Sequence, residues 1–137
     1  MSTQTAGTLP ALKYLGAIHE GIPVRNLEAS IRFYTEVLGL KLLPRPKLPA
    51  PGAWLGDDDN TVQFHLIVTD RDYIPGPDAR VTPTGRHTAW MVASLADFRA
   101  RLEALGVEYQ TLAGVIASDQ LFVKDPEGHT WEFQEPK

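Results

Sequence analysis

The chain contains two copies of one segment, and each copy carries a metal-ligand type of residue near both of its ends. In the first copy, His19 is followed 19 residues later by a Leu-Gly pair and 46 residues later by His65. In the second copy, His87 is followed 18 residues later by a Leu-Gly pair and 45 residues later by Glu132. A repeated supersecondary unit that joins its ligands at a shared centre would produce this register.

The first copy predicts one helix among several strands. Residues 15–24 are predicted to form a strand, with Ile18 on its buried face and His19 on the opposite face. Asn26 is a residue type that begins helices and Gly39 is one that ends them, so a helix is predicted between the two. Three shorter strands are predicted after this helix, over residues 40–43, 52–55 and 61–69.

The second copy predicts the same order of elements. A strand is predicted over residues 87–92, followed by a helix that begins at Ser94, with Asp97 as its capping-box partner, and ends at Gly106. Three further strands are predicted over residues 107–112, 119–124 and 130–134. Each copy is therefore a β-α-β-β-β module.

Alternation along the last strand of each module indicates which way the candidate ligands point. Apolar residues take every second position from Val62 to Val68, so Gln63 and His65 are predicted to lie on the opposite face. The same argument places Glu132 opposite the apolar side chains of its strand. The predicted fold class is therefore α+β, with two curved mixed sheets around a metal-binding cavity and helices on the outer face. Four side chains are predicted to converge on the cavity: His19, His65, His87 and Glu132.

This ligand set predicts a particular kind of site. Imidazole and carboxylate groups without sulfur suit a divalent Fe, Mn, Ni, Co or Zn ion. With three or four protein ligands, such an ion keeps open positions for water or substrate, which is typical of a catalytic site. A single histidine on a strand is more often a hydrogen-bonded structural residue, and the matched register of the two copies favours the ligand role here. His129 lies outside the register and is predicted to be an exposed turn residue, whereas Gln63 and Gln134 are predicted to line the cavity.

Two segments are predicted to be loops at the mouth of the cavity. The proline-rich run from residue 44 to 51 cannot form a central strand, because prolines lack an amide donor. The second loop is the linker over residues 70–86. Arg45, Arg80 or Arg86 would be available there for an anionic group of a substrate, and the sequence does not choose among the three.

Composition narrows the classes of partner. A chain of 137 residues, 43% hydrophobic and 22% charged, predicts one globular domain over residues 1–137, with module one over about residues 15–69 and module two over about 86–135. A net charge of -4 provides no basic field for nucleic acid or an anionic membrane. The chain has no cysteine, which excludes disulfides and thiolate metal sites. With no signal pattern and no membrane-spanning apolar run, we expect a cytoplasmic protein whose partner is a small molecule.

The motifs resemble those of a known superfamily. The segments HEGIPVRNLEASIRFYTEVLGL, RHTAWMVASLADFRARLEALGV and LFVKDPEGHTWEF are similar to the paired modules of the vicinal oxygen chelate superfamily, which includes glyoxalase I, extradiol dioxygenases and bleomycin-binding proteins. RPKLPAPGAWL, FHLIV and DQLFVKDPEG further resemble its glyoxalase-I-like branch.

The resemblance implies ligands on the first and last strands of each module, which correspond to His19, His65, His87 and Glu132. It implies a metal-dependent lyase or isomerase that acts on an oxygen-chelating carbonyl or hydroxy compound, with Glu132 as the catalytic base. Glyoxalase I has a glutathione-binding arginine four residues after the first ligand, where this chain has Pro23, so the resemblance does not extend to a glutathione adduct.

Two other activities in the superfamily remain as alternatives. An extradiol dioxygenase needs only His19, His87 and Glu132, although those enzymes commonly have four modules rather than two. A bleomycin-sequestering protein binds its small molecule without a metal. Such binding gives no reason for the candidate metal-binding residues to keep matched positions in the two copies. The exposed strand edges of two short sheets also predict a homodimer. In resembling families, modules from different subunits pair, which would place the two ligand pairs of a site on different chains.

Overall fold

The structure, a computed structural model, describes residues 9–59, 62–70, 74–114, 116 and 119–137. The first module consists of β1 (Glu20–Val24), α1 (Leu27–Arg32), a π-helical turn (Phe33–Val37), β2 (Lys41–Leu43), β3 (Gly52–Gly56) and β4 (Gln63–Val68). The second consists of β5 (Thr88–Met91), α2 (Leu95–Leu105), β6 (Gln110–Leu112), β7 (Gln120–Lys124) and β8 (Thr130–Gln134). The predicted β-α-β-β-β order is confirmed in both modules.

Each module forms its own four-stranded mixed sheet. The strand orders are β1-β4-β3-β2 and β5-β8-β7-β6, and in each sheet the first strand of the module runs parallel to the last. This pairing sets Gly21 beside His65 in one sheet and Ala89 beside Glu132 in the other. The α+β class is therefore confirmed, and within the described residues the two sheets do not join into a closed barrel.

The predicted ends of both helices are confirmed by their capping contacts. The side chain of Asn26 accepts a hydrogen bond from the Ala29 amide at 3.0 Å, and Ser94 accepts one from the Asp97 amide at 3.1 Å. Gly39 and Gly106 follow the helices with φ angles of 75° and 69°, a left-handed conformation that glycine adopts without steric cost. The first helix departs from the expectation in its last turn, which is π-helical.

The first strand is shorter than predicted. Residues 15–24 were expected to be extended with Ile18 buried, but the strand begins at Glu20 and the Ile18 side chain is 80% exposed. The pairing of β1 with β4 begins only at Glu20, opposite Phe64. The predicted strand over residues 107–112 is likewise confined to its last three residues, and the predicted strand start at Thr61 lies outside the described residues.

The core joins the two modules through the faces of their sheets that carry apolar side chains. Tyr34, Phe64 and Trp131 contact one another there, with ring centroids between 5.3 and 6.1 Å apart. Trp131 donates a hydrogen bond to the Tyr34 hydroxyl at 3.0 Å, and this hydroxyl donates to Asp125 at 2.6 Å. Because Phe64 and Trp131 alternate with His65 and Glu132, the faces with the candidate ligands point away from this shared core.

A turn of the second module also holds the first module in place. The buried Glu127 carboxylate accepts hydrogen bonds from the Arg25 amide and, at 2.7 Å, from the Asn26 amide. The His129 ring donates to the Pro23 carbonyl at 2.8 Å. The expectation that His129 is an exposed turn residue was therefore wrong, because its ring is half-buried and links the two modules.

Neither helix of the described chain has the length and apolar character needed to cross a membrane.

Candidate functional site

The four candidate ligands form two pairs, one in each module. The rings of His19 and His65 are stacked with their centroids 4.0 Å apart and 15° between their planes. Nε2 of His87 lies 2.9 Å from Oε1 of Glu132. Within the described ranges, no three ligand-type side chains lie close enough together to hold a metal ion. We refer to these two pairs of candidate ligands below as the first half-site (His19 and His65) and the second half-site (His87 and Glu132).

The first half-site is a stack of three rings. His65 lies between His19 and Trp54, whose ring is parallel to it within 5° at a centroid distance of 4.2 Å. Nε2 of His65 donates to the Gln63 side chain at 2.9 Å, which leaves the Nδ1 lone pair of the neutral ring available to a ligand. Burial lowers the pKa of His65, and the charges of His19 and Arg45 lower it further. The ring is thus held in the neutral form that binds metals.

The second half-site is fixed by the backbone. Nδ1 of His87 donates to the Gly85 carbonyl at 2.7 Å, so the neutral ring keeps its proton on Nδ1. A protonated ring donates a hydrogen bond from Nε2 to the Glu132 carboxylate, whereas in a neutral ring Nε2 presents a lone pair to that carboxylate and the two acceptors need a cation between them. A metal-ligating histidine commonly has this second hydrogen bond to a carbonyl group. The donor set therefore fits a divalent cation.

The Glu132 carboxylate is held by two amide side chains. Its Oε2 accepts hydrogen bonds from Gln120 at 3.1 Å and from Gln134 at 2.5 Å. Burial alone would raise the pKa of Glu132, but the hydrogen bonds from Gln134, Gln120 and His87 outweigh it, and the pKa lies below its ordinary value. The buried carboxylate is therefore ionised at neutral pH, as a metal ligand or a proton acceptor has to be.

Two residues of these half-sites, Gln120 and Trp54, were missed by the sequence reasoning. Phe122 pairs with Glu132 between β7 and β8, so Gln120, two residues earlier, shares the face of that carboxylate. Trp54 pairs with His65 between β3 and β4. The alternation of side chains along β3 and β7 could have identified both residues. The alternation argument was applied only to the strands that carry the candidate ligands.

A cleft of about 1020 Å³ lies where the two modules meet. Its lining includes Gly21 of β1, and His87 with Arg80 and Arg86 from the segment that precedes β5. Two of the three arginines expected at the cavity mouth therefore lie beside the second half-site. The third, Arg45, lies in the first module, where it donates a hydrogen bond to the Ala50 carbonyl at 2.8 Å.

Comparison with known proteins places this architecture in a family. Residues 16–133 match the model of the Glyoxalase/Bleomycin resistance protein/Dioxygenase superfamily. The chain belongs to this superfamily. Its fold is similar to that of a solved glyoxylase/bleomycin resistance protein/dioxygenase domain from Frankia sp. EAN1pec, with a TM-score of 0.71 and 24% identity over 91% of this chain and 100% of that one.

Two curated members of the superfamily are similar in sequence. One is the Arabidopsis thaliana protein named glyoxylase I 4, which is 30% identical over 80% of this chain and 64% of its own length. The other, a lactoylglutathione lyase of the same plant, is 31% identical over 84% of this chain and 42% of its own length. The chain thus spans less than two thirds of either relative.

Proposed function

We propose that this protein is a divalent-metal-dependent lyase or isomerase of the glyoxalase type, which acts on a small oxygen-chelating carbonyl or hydroxy compound. The observation that carries the proposal is the contact between His87 and Glu132. The ring is oriented by the Gly85 carbonyl, the carboxylate is held ionised by two glutamines, and Nε2 of the ring and Oε1 of the carboxylate face each other across 2.9 Å. The ion is Ni, Co, Zn, Fe or Mn, the metals that suit nitrogen and oxygen ligands.

We propose that each complete site is formed by two chains. His19 and His65 of one subunit would join His87 and Glu132 of a second copy, giving two equivalent sites in a symmetric homodimer. The separation of the pairs and the orientation of their faces away from the shared core support this assembly. A further support is the segment before His19, because Leu15 is 91% exposed and Tyr14 and Ile18 are exposed as well. Contiguous exposed apolar side chains are typical of a surface that another chain covers.

The roles of the side chains follow from their contacts. A bound divalent ion would supply a Lewis acid that polarises a carbonyl oxygen. Glu132 then accepts a proton from the carbon next to that carbonyl and returns it to the neighbouring carbon. Gln120 and Gln134 orient the carboxylate for both transfers, since they hold the oxygen that does not face His87. The Trp54–His65 stack provides a flat wall for the substrate.

A second activity is favoured by one observation. Nε2 of His65 is engaged by Gln63, so this ring can offer a metal only Nδ1. Without His65, the set consists of two histidines and one carboxylate: His19, His87 and Glu132. This set is typical of iron oxygenases and would suit a ring-cleaving dioxygenase. Metal analysis of the purified protein separates the alternatives, because iron favours the dioxygenase, and nickel, cobalt or zinc favours the lyase or isomerase. A protein that takes up no metal would be a metal-free binding protein.

The metal site itself is tested by calorimetric titration with Zn²⁺, Ni²⁺ and Co²⁺. Glu132→Gln removes the charge and keeps the size of the side chain, so metal affinity should fall by at least about 100-fold while the melting temperature changes little. Glu108→Gln is the matched control, because Glu108 is exposed and lies outside both half-sites. Unchanged metal affinity in Glu132→Gln would refute the proposed site.

A further inference from the structure

The cleft between the two modules is largely separate from the candidate metal ligands. Its volume of about 1020 Å³ is large enough for a small organic molecule. Its described lining includes His87 but none of His19, His65 and Glu132. A molecule in the cleft can therefore bind without contact to the Glu132 carboxylate or to the first half-site.

Two arginines of this cleft have donors that the described chain does not use. Arg80 and Arg86 belong to the lining, and both are exposed, so a solute in the cleft can reach them. Neither side chain forms a hydrogen bond or an ion pair with any residue that the structure describes. Glu20 also belongs to the lining but is not paired with either arginine. The two positive charges outnumber this carboxylate, which favours an anionic ligand.

Thr88 adds an uncharged donor to the same cleft. It pairs with Trp131 between β5 and β8, and both residues line the cleft. Its half-buried hydroxyl has no hydrogen bond within the described ranges, whereas Thr82 and Thr130 of the same lining are bonded to each other. Guanidinium and hydroxyl donors together suit an oxyanion, because carboxylate and phosphate groups accept several hydrogen bonds at once.

Apolar side chains of the lining predict that the anion is organic. Pro23 of the first module and Pro75 and Ala79 of the linker border the cleft, and each is partly or fully exposed. An inorganic ion would leave this apolar surface in contact with water. An anion with an apolar body would cover it and gain free energy from its burial.

We propose that the cleft between the modules is a binding site for a small organic oxyanion, a carboxylate or a phosphate ester with an apolar body. Arg80 and Arg86 bind the oxyanion, the Thr88 hydroxyl donates a hydrogen bond to it, and the apolar residues contact the body. This site goes beyond the proposed function, because it needs neither the metal ion nor Glu132.

The test compares two anions with an uncharged analogue in protein treated with a chelator. NMR titration measures the binding of phenylacetate, phenyl phosphate and 2-phenylacetamide to the wild type and to a double variant, Arg80→Gln with Arg86→Gln. We expect the wild type to bind at least one of the anions about 10-fold more tightly than the amide, and the double variant to lose this preference. Arg99→Gln is the matched control, because it removes an exposed charge on α2 outside the cleft.

Two further comparisons separate the parts of the site. Thr88→Val keeps the shape of the side chain and should weaken anion binding about 3-fold. Acetate has no apolar body and should bind more weakly than phenylacetate. The tighter of the two aromatic anions identifies the ligand as a carboxylate or as a phosphate ester.

A wild type that prefers neither anion over the amide would overturn the inference. An equal preference in the double variant and in the wild type would overturn it as well, because the anion would then bind elsewhere. The protein holds no metal in this experiment, so failure of the proposed metal site would leave these results unchanged.

Discussion

Nε2 of His87 and Oε1 of Glu132 lie 2.9 Å apart, although neither atom has a proton to donate while the ring is neutral. The ring cannot change its tautomer without losing the hydrogen bond to the Gly85 carbonyl. The hydrogen bonds from Gln134 and Gln120 favour the ionised form of the Glu132 carboxylate, so protonation of this carboxylate would weaken them. The pair is therefore arranged for a positive charge between or beside its atoms, which is the basis for the proposed metal site.

The contact between Gln120 and Glu132 predicts a supporting role for this glutamine. Gln120→Ala should weaken metal binding about 10- to 100-fold, the usual effect of removing a partner that orients a metal ligand. Gln110→Ala is the control, since Gln110 is exposed on β6. Equal metal affinities of the two variants in calorimetric titration would contradict the assigned role.

The histidines of the two half-sites, His65 and His87, should contribute unequally to metal binding. His87→Ala should abolish stoichiometric binding of a divalent metal, because the backbone fixes this ring with its lone pair toward Glu132. His65→Ala should cost less affinity, since His65 has to offer Nδ1 while Nε2 stays with Gln63. Metal content after gel filtration measures both effects, with circular dichroism to check that each variant is folded. Full occupancy in His87→Ala would refute the ligand assignment.

The buried Tyr34–Asp125 hydrogen bond predicts a sensitivity to alkaline pH. Burial, together with the charge of Asp125, raises the pKa of Tyr34 well above its ordinary value of 10.0. The folded protein keeps the phenol proton where the unfolded chain loses it, so this stability is fully present below pH 10.0 and is lost as the pH rises above it.

Tyr34→Phe should reduce the free energy of unfolding by about 1–3 kcal/mol at neutral pH, because a buried carboxylate loses its donor. The variant should also show a smaller loss of stability above pH 10.0 than the wild type. Urea denaturation on both sides of that pH measures the difference. Tyr14→Phe is the control, since Tyr14 is exposed. Parallel pH dependences of Tyr34→Phe and the wild type would exclude the predicted linkage.

Close packing at Gly128 predicts a strong effect of one methyl group. Gly128 has a φ of 91°, and a Cβ there would lie 2.1 Å from the Gly76 carbonyl oxygen. Gly114 also has a positive φ, of 72°, but a Cβ there would meet open space. Gly114→Ala should therefore cost about 1 kcal/mol of stability, whereas Gly128→Ala should cost about 3 kcal/mol. Similar unfolding midpoints for the two variants would show that the backbone at Gly76 can move away.

Sequence reasoning predicted the features that depend on local chemistry. Helix ends at Asn26, Gly39, Ser94 and Gly106 follow from side-chain capping and from the freedom of glycine, so neighbouring residues suffice to place them. Alternation predicted the faces of His65 and Glu132 for the same reason. Helix capping and side-chain alternation were therefore sufficient to predict both modules and the candidate ligands that they carry.

Features that depend on distant residues were not predicted. The start of β1 depends on its pairing with β4, which lies more than 40 residues away in the sequence. The half-buried position of His129 arises from the Pro23 carbonyl of the other module. Which faces of the two sheets meet in the core depends on distant residues too, because Phe64 and Trp131 decide this by their contact.

The central claim is that each metal site combines His19 and His65 of one chain with His87 and Glu132 of another. The most direct measurement is metal binding by a mixture of two variants, each of which lacks one ligand pair. The two are unfolded together and refolded so that their subunits exchange. One variant carries His19→Ala with His65→Ala, and the other carries His87→Ala with Glu132→Ala. Neither should bind metal alone. In the mixed dimer one of the two sites is complete, so the account predicts that metal binding returns on mixing. If the mixture binds no metal while the refolded wild type does, the site lies within one chain and the account is contradicted.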